Sequence, residues 1–304
     1  MEKLIGMAFP VEVVQTVLLT GHLADEKPVS LLIIASPESG KTTATRKANI
    51  SVSSDRRGEE LAVALTDTTG KGLLKIISEH PNASHVIFND LSITAGHKSH
   101  VTKYLFGVIS AMTEEGITRT ADPEGVRPYG KEGTKGIIGC ITPRLARDQR
   151  FTWNMSGLTT RMLPFFYCQG IDIQLKVRRY HAGLLHKSDH SRETSSLVIP
   201  NEEMNVSVGK EYKEHILELA RNVAQKLSKE GTSRNNPDYE ELGYRRIIQF
   251  RSLAKANSLL THPGDDEPRV HRVNVEFLRK LSRFISFRHA ESLEEPSSSS
   301  DSGK

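Results

Sequence analysis

Four stretches of this chain carry side chains whose types and spacing suit chemistry on phosphates. The first, Leu31 to Thr43, reads LLIIASPESGKTT. A phosphate-binding loop of the form G-x-x-x-x-G-K-[ST] joins a buried strand to a helix, so that backbone N–H groups and the helix N-terminus converge on phosphate oxygens. Here Ser36, Pro37, Glu38 and Ser39 supply the cradle, Gly40 permits close backbone approach, and Lys41 brings a point charge. Thr42 closes the motif and offers a hydroxyl to magnesium, and Thr43 follows it as a further candidate contact to the nucleotide. Ala35 stands where the first glycine belongs.

The second stretch, HVIFND, is an apolar run that ends in Asp90. A carboxylate at the C-terminal end of a sheet strand can hold magnesium through water, or it can simply cap the segment that follows. The third, IIGCITP, ends a buried strand in Thr142, which suits contact with a γ-phosphate or an attacking water, or an ordinary turn before Pro143. In the fourth, GLTTRMLPFF, Arg161 lies between polar and apolar residues. Arginine stabilises charge on a transferring phosphoryl group, often across a subunit boundary.

The elements that must position these side chains alternate. The residue pattern predicts an amphipathic helix through Val11, Val14 and Leu18 ended by Gly21, then strands over 31–35, 61–65, 85–88 and 136–141. Helices are expected from Lys41, over 72–78 and over 99–115. Strands alternating with helices predict an α/β fold with a parallel sheet covered on both faces. The turn-rich stretch 117–135 reads as a hairpin, with Arg119, Arg127, Tyr129, Lys131 and Lys135 offering basic and aromatic groups to a nucleic-acid backbone. Asp122, Glu124 and Glu132 offset much of that charge, so the same hairpin also reads as a solvated loop.

A polar shift near 181–211 marks a linker, in which LVIP and VSV suggest short strands. Beyond it, apolar stripes at helical spacing predict a small all-helical domain over 212–290. The expected organisation is therefore a helical N-terminal linker (1–27), a nucleotide-binding α/β domain (28–180), the linker, the helical domain and a low-complexity tail (291–304).

The 304 residues, 37% hydrophobic and 26% charged, suit a globular chain with a sizeable core, and the net charge of +4 selects no partner. Only two cysteines occur, Cys140 and Cys168, without metal-ligand spacing, which suits a reducing compartment such as the cytoplasm. Neither a signal peptide nor a membrane span is expected.

The succession of loop, acid-ended strand, polar-ended strand, arginine and helical bundle resembles an AAA+ ATPase over roughly residues 10–290, closest in motif order to the minichromosome maintenance helicases and the bacterial enhancer-binding activators. There a helix ending like MTEEG precedes a hairpin, Thr160-Arg161-Met162 is similar to an arginine-finger motif, and RRIIQFRSLAKA from Arg245 looks like a sensor-two helix. The resemblance implies ATP and Mg2+ as cofactors, Lys41 and Thr42 on the phosphates and metal, and Asp90 as the Walker B aspartate. It further implies Thr142 as sensor one, Arg161 as a finger acting on a neighbouring copy, and Arg245, or Arg246 beside it, as sensor two. A homo-oligomeric ring follows, a hexamer in this family, with helicase-like or loading work on DNA through the 117–135 hairpin. Protein remodelling, or a nucleotide-dependent switch with weak hydrolysis, are the alternatives. One departure bears on catalysis: Leu91 occupies the place of the family's water-activating glutamate, leaving Asp67, Glu114 or Glu115 as candidate substitutes.

Overall fold

The computed structural model describes residues 5–52, 57–95, 99–117, 119–122, 125–128, 133–155, 157–182, 184, 197–231 and 243–293. Strand β1 (Ser30–Ile34) is buried at every position, as an apolar run in a sheet covered on both faces must be. It pairs in parallel with β6 (Gly136–Ile141) on one side and β7 (Met162–Gln169) on the other. Beyond β6 lie β3 (His85–Phe88) and the edge strand β2 (Ala62–Leu65), and beyond β7 lies β8 (Glu291–Leu293). The order β2-β3-β6-β1-β7-β8 thus places the loop-bearing strand in the interior of a six-stranded parallel sheet. Strands β4 (Arg119–Asp122) and β5 (Gly125–Pro128) form a separate antiparallel pair.

Helices cover the sheet and then continue alone. Among the described residues, α1 (Ala8–Leu19) and α2 (Lys41–Ala48) precede β2, and α3 (Gly70–Glu79) precedes β3. The connection to β6 carries α4 (Leu91–Ala95) and α5 (Ser99–Glu114). Next come α6 (Pro143–Met155), α7 (Leu158–Arg161) and α8 (Ile171–His181) around β7. Then α9 (Lys210–Gly231), α10 (Gly243–Thr261) and α11 (Arg272–Phe284) pack on one another. This is an α/β fold with a parallel sheet flanked by helices and a smaller helical region, consistent with a P-loop NTPase of the AAA+ type.

Several elements differ from the sequence expectations. Helix α1 is not amphipathic: Val11, Val13, Val14, Val17, Leu18 and Leu19 are all buried, because α2 and β1 cover one side and α10 another. Strand β7 carries Pro164 and so escapes strand patterning, yet it pairs directly with β1. The Pro164 carbonyl accepts from Ser286 N at 3.0 Å, so its donor-less nitrogen faces the same side, away from β1 and short of the residues that β8 pairs. LVIP forms no strand, although Leu197 and Ile199 are buried, and VSV contributes only an isolated bridge between Ser207 and Arg269. Glu291–Leu293, read from composition as the start of a tail, completes the sheet edge.

Candidate functional site

The loop after β1 takes the form its residues require. Ala35 is fully buried, and its N–H donates to the Ile141 carbonyl at 3.2 Å, tying the loop entry to β6. The left-handed positions fall instead at Glu38 (φ 61°) and Gly40 (φ 81°), so alanine at the loop entry costs nothing in backbone conformation. Gly40 caps α2, and a side chain there would close on the Met7 methyl at 3.2 Å. Beneath the loop, Tyr167 Oη and Gln169 Nε2 each donate to the Ser39 carbonyl at 3.3 Å. Ser39 Oγ is buried without a hydrogen-bond partner among the described residues.

Lys41 folds back on its own loop, donating from Nζ to the Ala35 carbonyl at 2.7 Å and the Ser36 carbonyl at 2.8 Å. Burial lowers its pKa, while the nearby Cys140 and Asp90 act in the opposite direction. Burial also pushes the Cys140 thiol up to about 12, so at neutral pH it is an uncharged neighbour of the lysine. Lys41, Cys140 and Asp90 therefore lie in one electrostatic neighbourhood at the C-terminal ends of β1, β6 and β3, which is where open parallel sheets bind ligands. Thr42 is exposed at the first turn of α2, and Ser36, Pro37 and Glu38 face solvent.

Asp90 and Thr142 both sit at helix starts. Asp90 Oδ1 accepts from Ser92 N at 2.8 Å, and Thr142 Oγ1 accepts from Leu145 N at 3.5 Å. Each capping bond commits one oxygen and keeps the side chain at the strand end beside the loop. Leu91, by contrast, turns into the core. It is 2% exposed and fills the space over Gly139, where an added Cβ would lie 2.3 Å from Leu91 Cδ1. Among the candidate substitutes for the missing glutamate, Asp67 follows the edge strand β2, three strand spacings or about 14 Å from β1.

Glu114 lies at the other end of the molecule. Its Oε2 accepts from Arg161 Nη2 at 2.9 Å, and its Oε1 accepts from Arg245 Nη2. Arg161 Nη1 also donates to the Gly157 carbonyl at 2.7 Å, and Arg245 Nη1 donates to Thr160 Oγ1 at 3.0 Å. Arg161 immediately precedes Met162, which pairs with Ser30 at the start of β1. The cluster thus sits at the N-terminal edge of the sheet, separated from its own loop by the length of β1, about 16 Å. Burial lowers the Arg245 pKa, Glu114 opposes that shift, and Arg161 adds to it. Arg246 points away: it is buried and donates from Nη1 to Gln249 Oε1 at 2.7 Å and the Met162 carbonyl at 3.2 Å. Of the two adjacent arginines, Arg245 is the one that donates to Glu114 among the described hydrogen bonds.

The hairpin region needs one correction. Lys135 is buried, not presented to a partner, with Nζ donating to the Pro81 carbonyl at 2.8 Å and to the Ala83 carbonyl. Tyr129, Lys131, Glu124 and Glu132 lie outside the described residues. Sequence reading also missed a cleft of about 630 Å³ beside the loop, lined by Ser36–Ser39, Cys168 and Gln169 of β7, and Gln174, Val177 and Arg178 of α8. Nothing in the sequence around Arg178 signals that it lies beside the loop; only the packing of α8 brings it there. Among the described residues, no group of three or more His, Cys, Asp or Glu side chains is placed to hold a metal, and no helix is long and apolar enough to cross a membrane.

Comparison with known proteins yields no family: no family model and no curated protein matches the chain. A solved structure described as "SCCmec type IV Cch - active helicase" is similar over 90% of this chain, at 12% identity and a TM-score of 0.40. This chain spans about half of that protein, covering 46% of its length.

Proposed function

We propose that this chain binds ATP at the 35–43 loop and hydrolyses it in a ring of its own copies, each completing its neighbour's site with Arg161 and Arg245. The observation that carries this reading is the separation of the two half-sites: the loop stands at one edge of the sheet and both arginines at the other. Arginines about 16 Å from their own loop can act on a triphosphate only across a boundary between copies.

The residues beside the loop fit a magnesium nucleotide. Among the described residues, Lys41 Nζ donates to two backbone carbonyls, which phosphate oxygens can replace, and the Ser39 hydroxyl is buried without a partner. Thr42 and Asp90 would hold the metal, which typically takes one or two protein oxygens together with phosphates and water. When bound, it supplies charge neutralisation on the phosphate oxygens. The cleft between the loop and α8, within the usual size range of ligand sites, would receive the nucleoside.

A slower reaction is the second reading, and Leu91 favours it. With that position given to the core, Asp67 beyond the edge strand, and Glu114 and its neighbour Glu115 in the arginine cleft, activation of water falls to Asp90, with Thr142 able to orient it, and the chain would act as a nucleotide-dependent switch. Work on DNA rests on the motif order alone.

Substitution of Arg161 tests the ring. Arg161→Ala should retain ATP binding while losing about 10³-fold or more in turnover. Mixing it with Lys41→Ala, which keeps its own arginine, should restore part of the rate. Normal turnover by Arg161→Ala alone would sink the shared-site reading.

A further inference from the structure

Glu114 is the common partner of the two arginines that the ring reading assigns to a neighbour's phosphates. Its two oxygens are divided between them, Oε2 to Arg161 and Oε1 to Arg245, so one negative charge faces two positive ones. Asp25 and Glu115 add two further carboxylates to the lining of the same cleft, but among the described hydrogen bonds only the Glu114 carboxylate reaches the two arginines. The Gly157 carbonyl and the Thr160 hydroxyl each accept one further arginine N–H. Lys27 donates to the Glu114 backbone carbonyl and so does not compete for its carboxylate. Glu26, on the facing wall, is held by Arg251, Lys255 and Ser252. The arrangement remains incomplete, since Arg161 Nε is buried without a hydrogen-bond partner among the described residues. The cluster opens onto a cleft of about 710 Å³ whose lining includes Lys27, Thr113 and the exposed Tyr244.

We infer that Glu114 is a clasp: it pre-aligns Arg161 and Arg245 in the free subunit and is displaced by the polyphosphate of a second copy, so that the arginines bind phosphate only by giving up the carboxylate. The inference rests on the reading that these arginines meet a neighbour's phosphates. Its chemistry is competition between two anions for the same N–H groups. A carboxylate offers two oxygens to the pair, whereas a polyphosphate offers more oxygens and more charge, and so can also satisfy Arg161 Nε. Glu114 then sets how much nucleotide-loaded partner is needed before the site closes, and it keeps the cluster from trapping stray anions.

Inorganic tripolyphosphate is the probe, titrated calorimetrically into the full chain carrying Lys41→Ala, so that its own loop is disabled. Adding Glu114→Gln, nearly the same shape without the charge, should tighten binding about tenfold, and adding Arg161→Ala to that variant should abolish it. Glu114→Asp, which keeps the charge, should return the affinity toward that of the Lys41→Ala chain, a recovery that damage to the fold would not produce. Equal affinity with and without Glu114→Gln, or binding by neither, overturns the clasp. Turnover that depends on copy number alongside equal tripolyphosphate affinity would leave the ring standing and remove only the clasp. The converse, tighter binding without arginine-dependent turnover, would remove the second copy as the source of the phosphate and so overturn the clasp as drawn, leaving only the competition between Glu114 and an anion.

Discussion

Leu91 shows how one residue separates two questions that a motif joins. In motif order it stands where the resemblance expects a catalytic carboxylate; in the structure it is a core residue lying over Gly139 of β6, the strand next to β1. Restoring the glutamate should therefore fail. Leu91→Glu would bury a carboxylate among Phe88, Ile109 and other apolar side chains of that core, costing about 2–4 kcal/mol, and thermal unfolding should report the loss. Turnover per folded molecule should not rise. A stable Leu91→Glu protein with faster hydrolysis would mean that the side chain at this position reaches the nucleotide after all.

At the scale of elements, β3 carries a titration that the loop does not. His85 is fully buried, with Nε2 donating to the Val29 carbonyl at 3.1 Å and Nδ1 accepting from Ser84 Oγ at 2.9 Å. Burial is the chief cause that lowers its pKa to about 3, and the charges of His22 and Lys135 push the same way. The folded imidazole therefore stays neutral to about pH 3, whereas in the unfolded chain it takes a proton near the ordinary imidazole value of 6.5. Its stabilising contribution is complete above the unfolded value and is lost as pH falls through the interval below it, at up to about 1.4 kcal/mol per pH unit. Urea unfolding from about pH 7 to about pH 4.5 should show that slope in the parent and a shallower one in His85→Gln. Parallel curves would count against a neutral buried imidazole.

The same elements show what the chain's letters disclose. Continuous apolar runs bounded by turn residues gave away β1, β3 and β6, because a strand buried on both faces must be apolar throughout. The loop was legible because phosphate binding constrains both residue type and spacing. Strand β7 was not, since Pro164 forbids a strand only where its nitrogen must donate, and that depends on neighbours absent from the local sequence. Lys135 looked like a surface cation because nothing nearby announces the carbonyls of Pro81 and Ala83 that receive it. The joining of Glu114, Arg161 and Arg245, far apart in sequence, was beyond any local pattern.

For the whole molecule, the proposed sharing of sites between copies would make activity a property of concentration. Steady-state ATP hydrolysis per chain should rise with protein concentration and level off once rings are complete; a flat profile would indicate a self-sufficient monomer. Single- and double-stranded DNA, added at low and moderate salt, then separate the kinds of work. Stimulation that weakens as salt rises would support a DNA-directed motor, because phosphate contacts release counterions. Assembly-dependent turnover indifferent to DNA would favour protein remodelling, and ATP binding with no turnover would favour the switch.

Strand β8 has a consequence for how the molecule is made. It seats beside β7, and Ile285 bridges Phe165 just ahead of it, after the whole helical region has intervened in the chain. During synthesis β7 therefore emerges with one side unpaired and waits for more than a hundred residues of helix and linker before its neighbour exists. An apolar strand with an open edge is a template for pairing with another chain. Nascent chains stalled or cut between α8 and α11 should be the ones that aggregate, and the Ser286–Leu293 segment, small as it is, acts as the closure that ends that exposure.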